Sequence, residues 1–206
     1  MINFSGVVMT ANLIIEAALK LFTQHGYEGA SLADIANEVG IHKSSIYTHF
    51  KKKEDIFLAV FEYAMADYRE HLKQLLTTIQ HDSIEDSLYK ILRDVGQYYN
   101  HSADKVVFQK RFLLFPPIFL QDDLKSRFAS FDESLVQMLF SIFKERTPET
   151  EFNHEVVKGW LNAYSCVLDG LFSHMVYYGN VGFDEKVTSI WTLYWGGIQH
   201  STLHAK

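Results

Sequence analysis

The chain has 206 residues, 48% of them hydrophobic and 21% charged, with a formal net charge of −6. That balance fits a folded globular protein of one or two domains and excludes a disordered or collagen-like chain. No apolar run reaches the roughly 18–20 residues that span a bilayer, and Met1–Thr10 carries no basic residue ahead of its apolar letters, so neither a membrane anchor nor a secretory leader is expected and the chain is placed in the cytoplasm.

Cys166, the lone cysteine, suits a reducing compartment and is expected as a small buried apolar residue. With only three prolines, and apolar positions following the helical period along nearly the whole length, the predicted class is all-α. Breaks at His25-Gly26, Gly40, Phe50-Lys51, His81-Asp82, His101 to Asp104, Pro116-Pro117, Thr147-Pro148 and Gly179 to Phe183 leave about nine helices. The first three are short. A boundary near residue 55 separates a helix-turn-helix domain (1–55) from a larger helical bundle (56–206).

The first predicted helix opens at Thr10 as its N-cap, carries Ile14, Ala17, Ala18, Leu21 and Phe22 on one face, and stops at Gly26. The second opens at Ser31 with Asp34 three residues on, a capping-box pattern, buries Leu32, Ile35, Ala36 and Val39, and turns at Gly40. In the brief third, Ile46 and Phe50 point one way while Ser44, Ser45, Tyr47 and Thr48 point the other. Two short helices joined by a glycine turn, the second with a small polar and aromatic outer face, make a helix-turn-helix.

Residues 1–56 hold five lysines against six acids, yet four of those lysines fall between Lys43 and Lys53, so contact with a polyanion would be local. Hydroxyl side chains on such a helix can reach base edges or phosphates in a major groove while lysines neutralise the backbone, which makes double-stranded DNA the expected partner. Lys51, Lys52 and Lys53 precede the next helix, where ammonium groups and unpaired backbone N–H groups are expected to meet a phosphate together. By itself the lysine triplet reads first as a solvated loop, and it is the adjoining helix-turn-helix that turns the reading toward phosphate contact.

The stretch "SLADIANEVGIHKSSIYTHFKKKEDIF" resembles the DNA-binding signature of the TetR family of bacterial transcriptional regulators, in its Ile-Ala pair, glycine turn, Ile-Tyr-x-His-Phe run and following lysine and glutamate. "AALKLFTQHGYEGAS" is similar to the helix and turn that precede it. The likeness covers about residues 10 to 60. It implies that Lys43, Ser44, Ser45 and Thr48 face base edges and that Ser31, Tyr47, His49 and Lys53 hold phosphates. Ser31 also reads as a helix cap, and His49 leans toward the Ile46 side. Two departures stand out: Ser44 replaces a glycine common in the family, and no Arg or Lys precedes the first helix. Met9 is an alternative start to Met1.

Most aromatic residues lie in the second domain. Phe108, Phe112, Phe115, Phe119, Phe128 and Phe131 cluster around the Pro116-Pro117 break, a pattern that serves either an ordinary aromatic core or the wall of an apolar cavity. The family resemblance implies a small effector bound among the middle helices, and the expected lining adds Tyr164 and Asp169. Asp169, between Leu168 and Gly170, reads as a partner for a cationic effector group or as a locally satisfied polar residue.

The helix over residues 155–178 has one apolar stripe through Val157, Trp160, Leu161, Tyr164, Leu168, Leu171, Phe172 and Met175. A second runs through Val156, Ala163, Val167, Gly170 and His174. Apolar over more than half its circumference, it needs two burial surfaces. The last helix repeats the pattern with Val187, Ile190, Trp191, Tyr194 and Ile198, and places Gly196 and Gly197 in mid-helix, where close helix approach is expected. A homodimer through the last two helices follows, with Ala163, Val167, Gly170, His174, Trp191, Tyr194 and Gly197 at its interface.

No catalytic or metal site is expected. His200 and His204 share a helix face but lack a paired acid or cysteine, and Glu85-Asp86, Asp122-Asp123 and Asp132-Glu133 are sequence neighbours that point apart. Nucleophile elbow, phosphate loop and dinucleotide fingerprint are absent, and no cofactor is expected. The leading reading is a ligand-responsive DNA-binding repressor. The alternative is a helical ligand-binding protein or enzyme whose helix-turn-helix is vestigial.

Overall fold

The computed structural model describes residues 4–203. Among them are eight α-helices and one 3₁₀ turn, close to the nine helices expected: α1 (Phe4–Gly29), α2 (Leu32–Val39), α3 (Lys43–Ile46), α4 (Lys53–Thr78), α5 (Ile84–Leu114), the 3₁₀ turn Ile118–Leu120, α6 (Gln121–Arg146), α7 (His154–Tyr178) and α8 (Phe183–Leu203). Two of the expected breaks survive as kinks inside longer helices. Gly26 sits in α1 at φ 74°, ψ 177°, and Ser102 in α5 at φ −131°, ψ 33°. Thr10 lies within α1 rather than capping it, because the helical hydrogen bonding continues back to Phe4.

The chain forms two compact units. One comprises the residues up to Glu70 together with Asp104–Gln121, the other His71–Ala103 together with the residues from Asp122 on. These units change within helices rather than near residue 55: α4 passes from one to the other after Glu70, and α5 passes back after Ala103.

The first unit is organised around Phe57, on the apolar face of α4 and fully buried. Its ring lies 5.4 Å from Phe22, 5.4 Å from Tyr27, 5.5 Å from Phe108 and 4.8 Å from Phe112, mostly edge to face, an arrangement worth about 0.5–1.5 kcal/mol per pair beyond area burial. Polar ties from α5 reinforce it. Lys105 pairs with Asp67, Gln109 Nε2 donates to Ala64 O at 3.1 Å, and Arg111 Nη1 donates to Thr23 O at 3.1 Å.

In the second unit the predicted inner stripe of α7 is buried through Val157, Leu161, Tyr164, Leu168, Leu171, Phe172 and Met175, with Trp160 half-buried. The buried Tyr164 hydroxyl donates to Leu88 O of α5, so that polar atom is satisfied. Gly96 of α5 admits the Phe183 ring, which a Cβ there would meet at 2.7 Å. Arg146, at the end of α6, donates to the carbonyls of Ile79, Gln80 and Asp82 and to Ser87 Oγ. It thereby supplies donors to a turn whose carbonyls lack helical partners.

Candidate nucleic-acid interface

The helix-turn-helix is built by its caps. Ser31 Oγ accepts from Asp34 N at 3.2 Å, and Asp34 Oδ2 accepts from Ser31 N at 2.9 Å and from the Ser31 hydroxyl at 2.6 Å. The predicted capping box is therefore complete, and its hydrogen bonds hold the Asp34 carboxyl below its ordinary range. Because the Ser31 hydroxyl donates within this cap, the phosphate contact implied for it would have to replace a local bond. At the other end Gly40 adopts φ 76°, ψ 32°, the left-handed region that closes helices.

Next comes α3, whose fully buried Ile46 anchors it. Lys43, Ser44, Tyr47 and Thr48 are exposed, Tyr47 at 53%, while Ser45 and His49 are half-buried. The structure thus brings Lys43, Ser44, Tyr47 and Thr48 onto one accessible surface. Bonds from Thr48 N to Ser45 O and from His49 N to Ile46 O carry the turn beyond the helix proper, and the Thr48 hydroxyl donates to Ser45 O at 2.7 Å. His42, not singled out by sequence reasoning, is the exposed N-cap of α3 and makes no side-chain cap bond. Histidine at an N-cap lacks the Ser, Thr, Asp or Asn signature that marks such positions, which is why the spacing did not reveal it.

The lysine segment differs from expectation in two respects. The N–H groups of Lys51 and Lys52 are not free for a phosphate: Asp55 Oδ2 accepts from them at 3.1 and 3.2 Å. An internal carboxylate thus occupies the anion position at the start of α4. The Lys53 ammonium is half-buried, donates to Tyr27 O at 2.9 Å and Ala30 O at 3.3 Å, and lies 4.0 Å over the Tyr27 ring. Lys51 and Lys52 keep exposed side chains.

The residues of the expected effector lining are divided between the two units. Phe108 and Phe112 close the core of the first unit, their rings 4.8 Å apart. Phe115 and Phe119 are exposed, Phe115 at 75%, with Phe119 edge-on to Tyr27. In the second unit Phe128 is buried and Phe131 half-buried on α6, Tyr164 is core, and Asp169 faces outward. Within the second unit a cleft of about 590 Å³ is bordered by Gln80 to Glu85, Arg146 and Trp195, and one of about 470 Å³ by His174, Tyr178, Val181, Gly182, Glu185, Lys186 and Ser189. Period alone could not separate core aromatics from cavity aromatics.

On the second stripe of α7, Ala163 and Gly170 are exposed and Val167 is half-buried, as are Trp191 and Tyr194 of α8, while Gly197 is exposed. His174 departs from this set. It is only 8% exposed, with Nε2 bonded to Val181 O across the α7–α8 turn, so it serves its own chain. Cys166, expected inside, is exposed on the outward side of α7. Among the described residues, nothing beyond the neighbouring turns of α8 lies within 4 Å of a Cβ placed at Gly196 or Gly197, so no other described helix of the chain makes the close approach expected there. Among the described residues no group of three or more His, Cys, Asp or Glu is placed to hold a metal ion; His204 lies outside them. No described helix is long and apolar enough to cross a membrane.

Comparison with known proteins bears on the same region. Residues 14–60 match the family described as "Bacterial regulatory proteins, tetR family". The chain is 38% identical over 61 residues to the HTH-type transcriptional regulator AcrR of Shigella flexneri, covering 30% of this chain and 28% of that protein. It is 32% identical over 87 residues to IcaR of Staphylococcus epidermidis, the negative transcriptional regulator of the biofilm operon icaADBC, covering 42% and 47%. The chain therefore spans less than half the length of these relatives. Over the whole fold it is similar to the fatty acid degradation regulator FadR of Bacillus halodurans (TM-score 0.69, 18% identity, 91% of this chain and 95% of that one). FadR of Bacillus subtilis, solved with stearoyl-CoA, gives a TM-score of 0.66 at 16% identity, with 88% and 96% covered. The capped helix-turn-helix lies within the segment that matches the tetR family of bacterial regulatory proteins, and the all-helical architecture is shared with these solved structures.

Proposed function

We propose that this protein is a ligand-responsive repressor that binds an operator through α3 and is released by a small apolar or aromatic effector. The observation that carries this reading is the accessible face of Lys43, Ser44, Tyr47 and Thr48 on a helix anchored by buried Ile46. That face offers side chains able to reach base edges, flanked by the exposed lysines Lys51 and Lys52 that can neutralise phosphates. IcaR, a relative of the N-terminal region, is a negative regulator, which favours repression over activation. The structural neighbour solved with stearoyl-CoA makes long-chain acyl thioesters the first effectors to test.

A homodimer through the outward stripes of α7 and α8 suits a two-fold operator, whose half-sites lie about 34 Å apart on the duplex. Leu193, 79% exposed in the single chain, is an apolar side chain that such an interface would cover. The protein acts in the cytoplasm, without enzymatic activity of its own. Selection of genomic fragments on immobilised protein, followed by binding titrations over a salt series with and without acyl thioester, tests the reading. Enrichment of a pseudo-palindromic site, with affinity that falls as salt rises, is expected. A protein that enriches no fragment but still binds a small molecule would support the helical ligand-binding alternative.

A further inference from the structure

The corner between α1 and α2 is held by two cations that arrive from other helices. At Gly26 the backbone leaves helical geometry, and carbonyls at a helix end lack the next turn's N–H groups and sit at the negative end of the helix dipole. Arg111 of α5 donates to Thr23 O at 3.1 Å, and its guanidinium rests on Gly26, where a Cβ would come within 2.8 Å of Nη2. Lys53 donates to Tyr27 O and Ala30 O while lying over the Tyr27 ring. Ala30 leads directly into Ser31, the N-cap of α2, so the position of Ala30 O sets where α2 begins and, through Gly40, where α3 stands.

We infer that Lys53 and Arg111 are positioning residues for DNA recognition, holding the α1–α2 corner in the register from which α3 is presented, and that neither uses its charge on a phosphate. This rests on the DNA-binding reading above and departs from the phosphate role implied for Lys53 by family likeness. Two of the three ammonium protons of Lys53 are committed to carbonyls inside the unit, whereas the side chains of Lys51 and Lys52 remain exposed. Backbone neutralisation therefore falls to those two lysines.

The test measures affinity for the selected operator and for a random duplex across a salt series, on protein shown to be folded by circular dichroism. Lys53→Met and Arg111→Met are expected to bind operator roughly tenfold more weakly, because a preorganised surface is loosened, with random-duplex affinity and salt slope as in the parent protein. Lys52→Ala, as the contrast, should lower the slope by about one unit on both duplexes. Should Lys53→Met fold poorly, Lys53→Arg replaces it: a phosphate contact predicts unchanged affinity, a positioning role predicts lost discrimination. Equal loss on both duplexes with a slope reduced by about one unit would overturn the inference in favour of a phosphate contact. Folded variants with unchanged affinity and discrimination would reduce both residues to stabilising roles. A parent protein that prefers no duplex removes the DNA reading itself.

Discussion

The helix-turn-helix and the aromatic segment after it, though parts of one compact unit, use their side chains in opposite ways. Between Ser31 and Asp55 the caps are local: Ser31 and Asp34 cap each other, Asp55 holds the lysine loop, and a short polar face on α3 remains outward. Between Phe108 and Phe119, residues of one chemical type divide without any local cue. Phe108 and Phe112 are core, and Phe115 and Phe119 are exposed. Local bonding rules can be read from spacing, whereas the fate of an aromatic residue depends on what the rest of the fold brings to it.

The sharpest way to break that contrast is a pair of truncations three residues apart. Phe112→Ala removes a ring that meets Phe57 at 4.8 Å and is expected to cost about 3–5 kcal/mol of stability. Phe115→Ala, at a largely exposed position, is expected to stay within about 0.5 kcal/mol. Denaturant titration of both variants checks this, and similar losses would mean that the exposed aromatic is buried in solution.

A smaller effect probes the polar face. Lys43→Ala should relax preference at one base position per half-site by about 1–3 kcal/mol while leaving stability nearly unchanged. Sequencing of selected operators reads this directly, and an unaltered preference profile would move base reading to other residues, with His42 the next to examine.

Smaller still is the effect of pH on α2. Because the hydrogen bonds with Ser31 depress the Asp34 carboxyl below its ordinary value of 3.8, the unfolded chain takes up that proton first as pH falls. The cap's contribution is therefore fully present above that value and is lost as pH drops through the lower, folded value. Amide exchange at the start of α2 should accelerate in that acid window, and Asp34→Asn should remove the acceleration. Exchange insensitive to pH there, after correction for its intrinsic rate, would mean that the box does not hold the helix end.

The same distinction explains what was legible in the sequence. The order of helices, the glycine turn at Gly40, the box at Ser31 and the anchoring of α3 by Ile46 are consequences of spacing and local bonding, and each appears where expected. Lys53 was not legible, because its partners Tyr27 O and Ala30 O lie more than twenty residues away and are backbone atoms with no letter of their own. The change of unit after Glu70 was not legible for a related reason. A continuous helix such as α4 shows no break at the point where its surroundings change. His174 followed its stripe yet turned to the Val181 carbonyl, a choice made by the turn rather than by the helix period.

The bond from the Thr48 hydroxyl to Ser45 O limits the alphabet this helix can read. With its only proton engaged, Thr48 can offer a base edge lone pairs and a methyl group but no donor. In the major groove guanine displays only acceptors at N7 and O6, whereas adenine and cytosine display an amino group and thymine a methyl. If α3 lies in the groove as proposed, the base opposite Thr48 is adenine, cytosine or thymine on the strand it faces, and guanine is disfavoured there before any sequence has been selected.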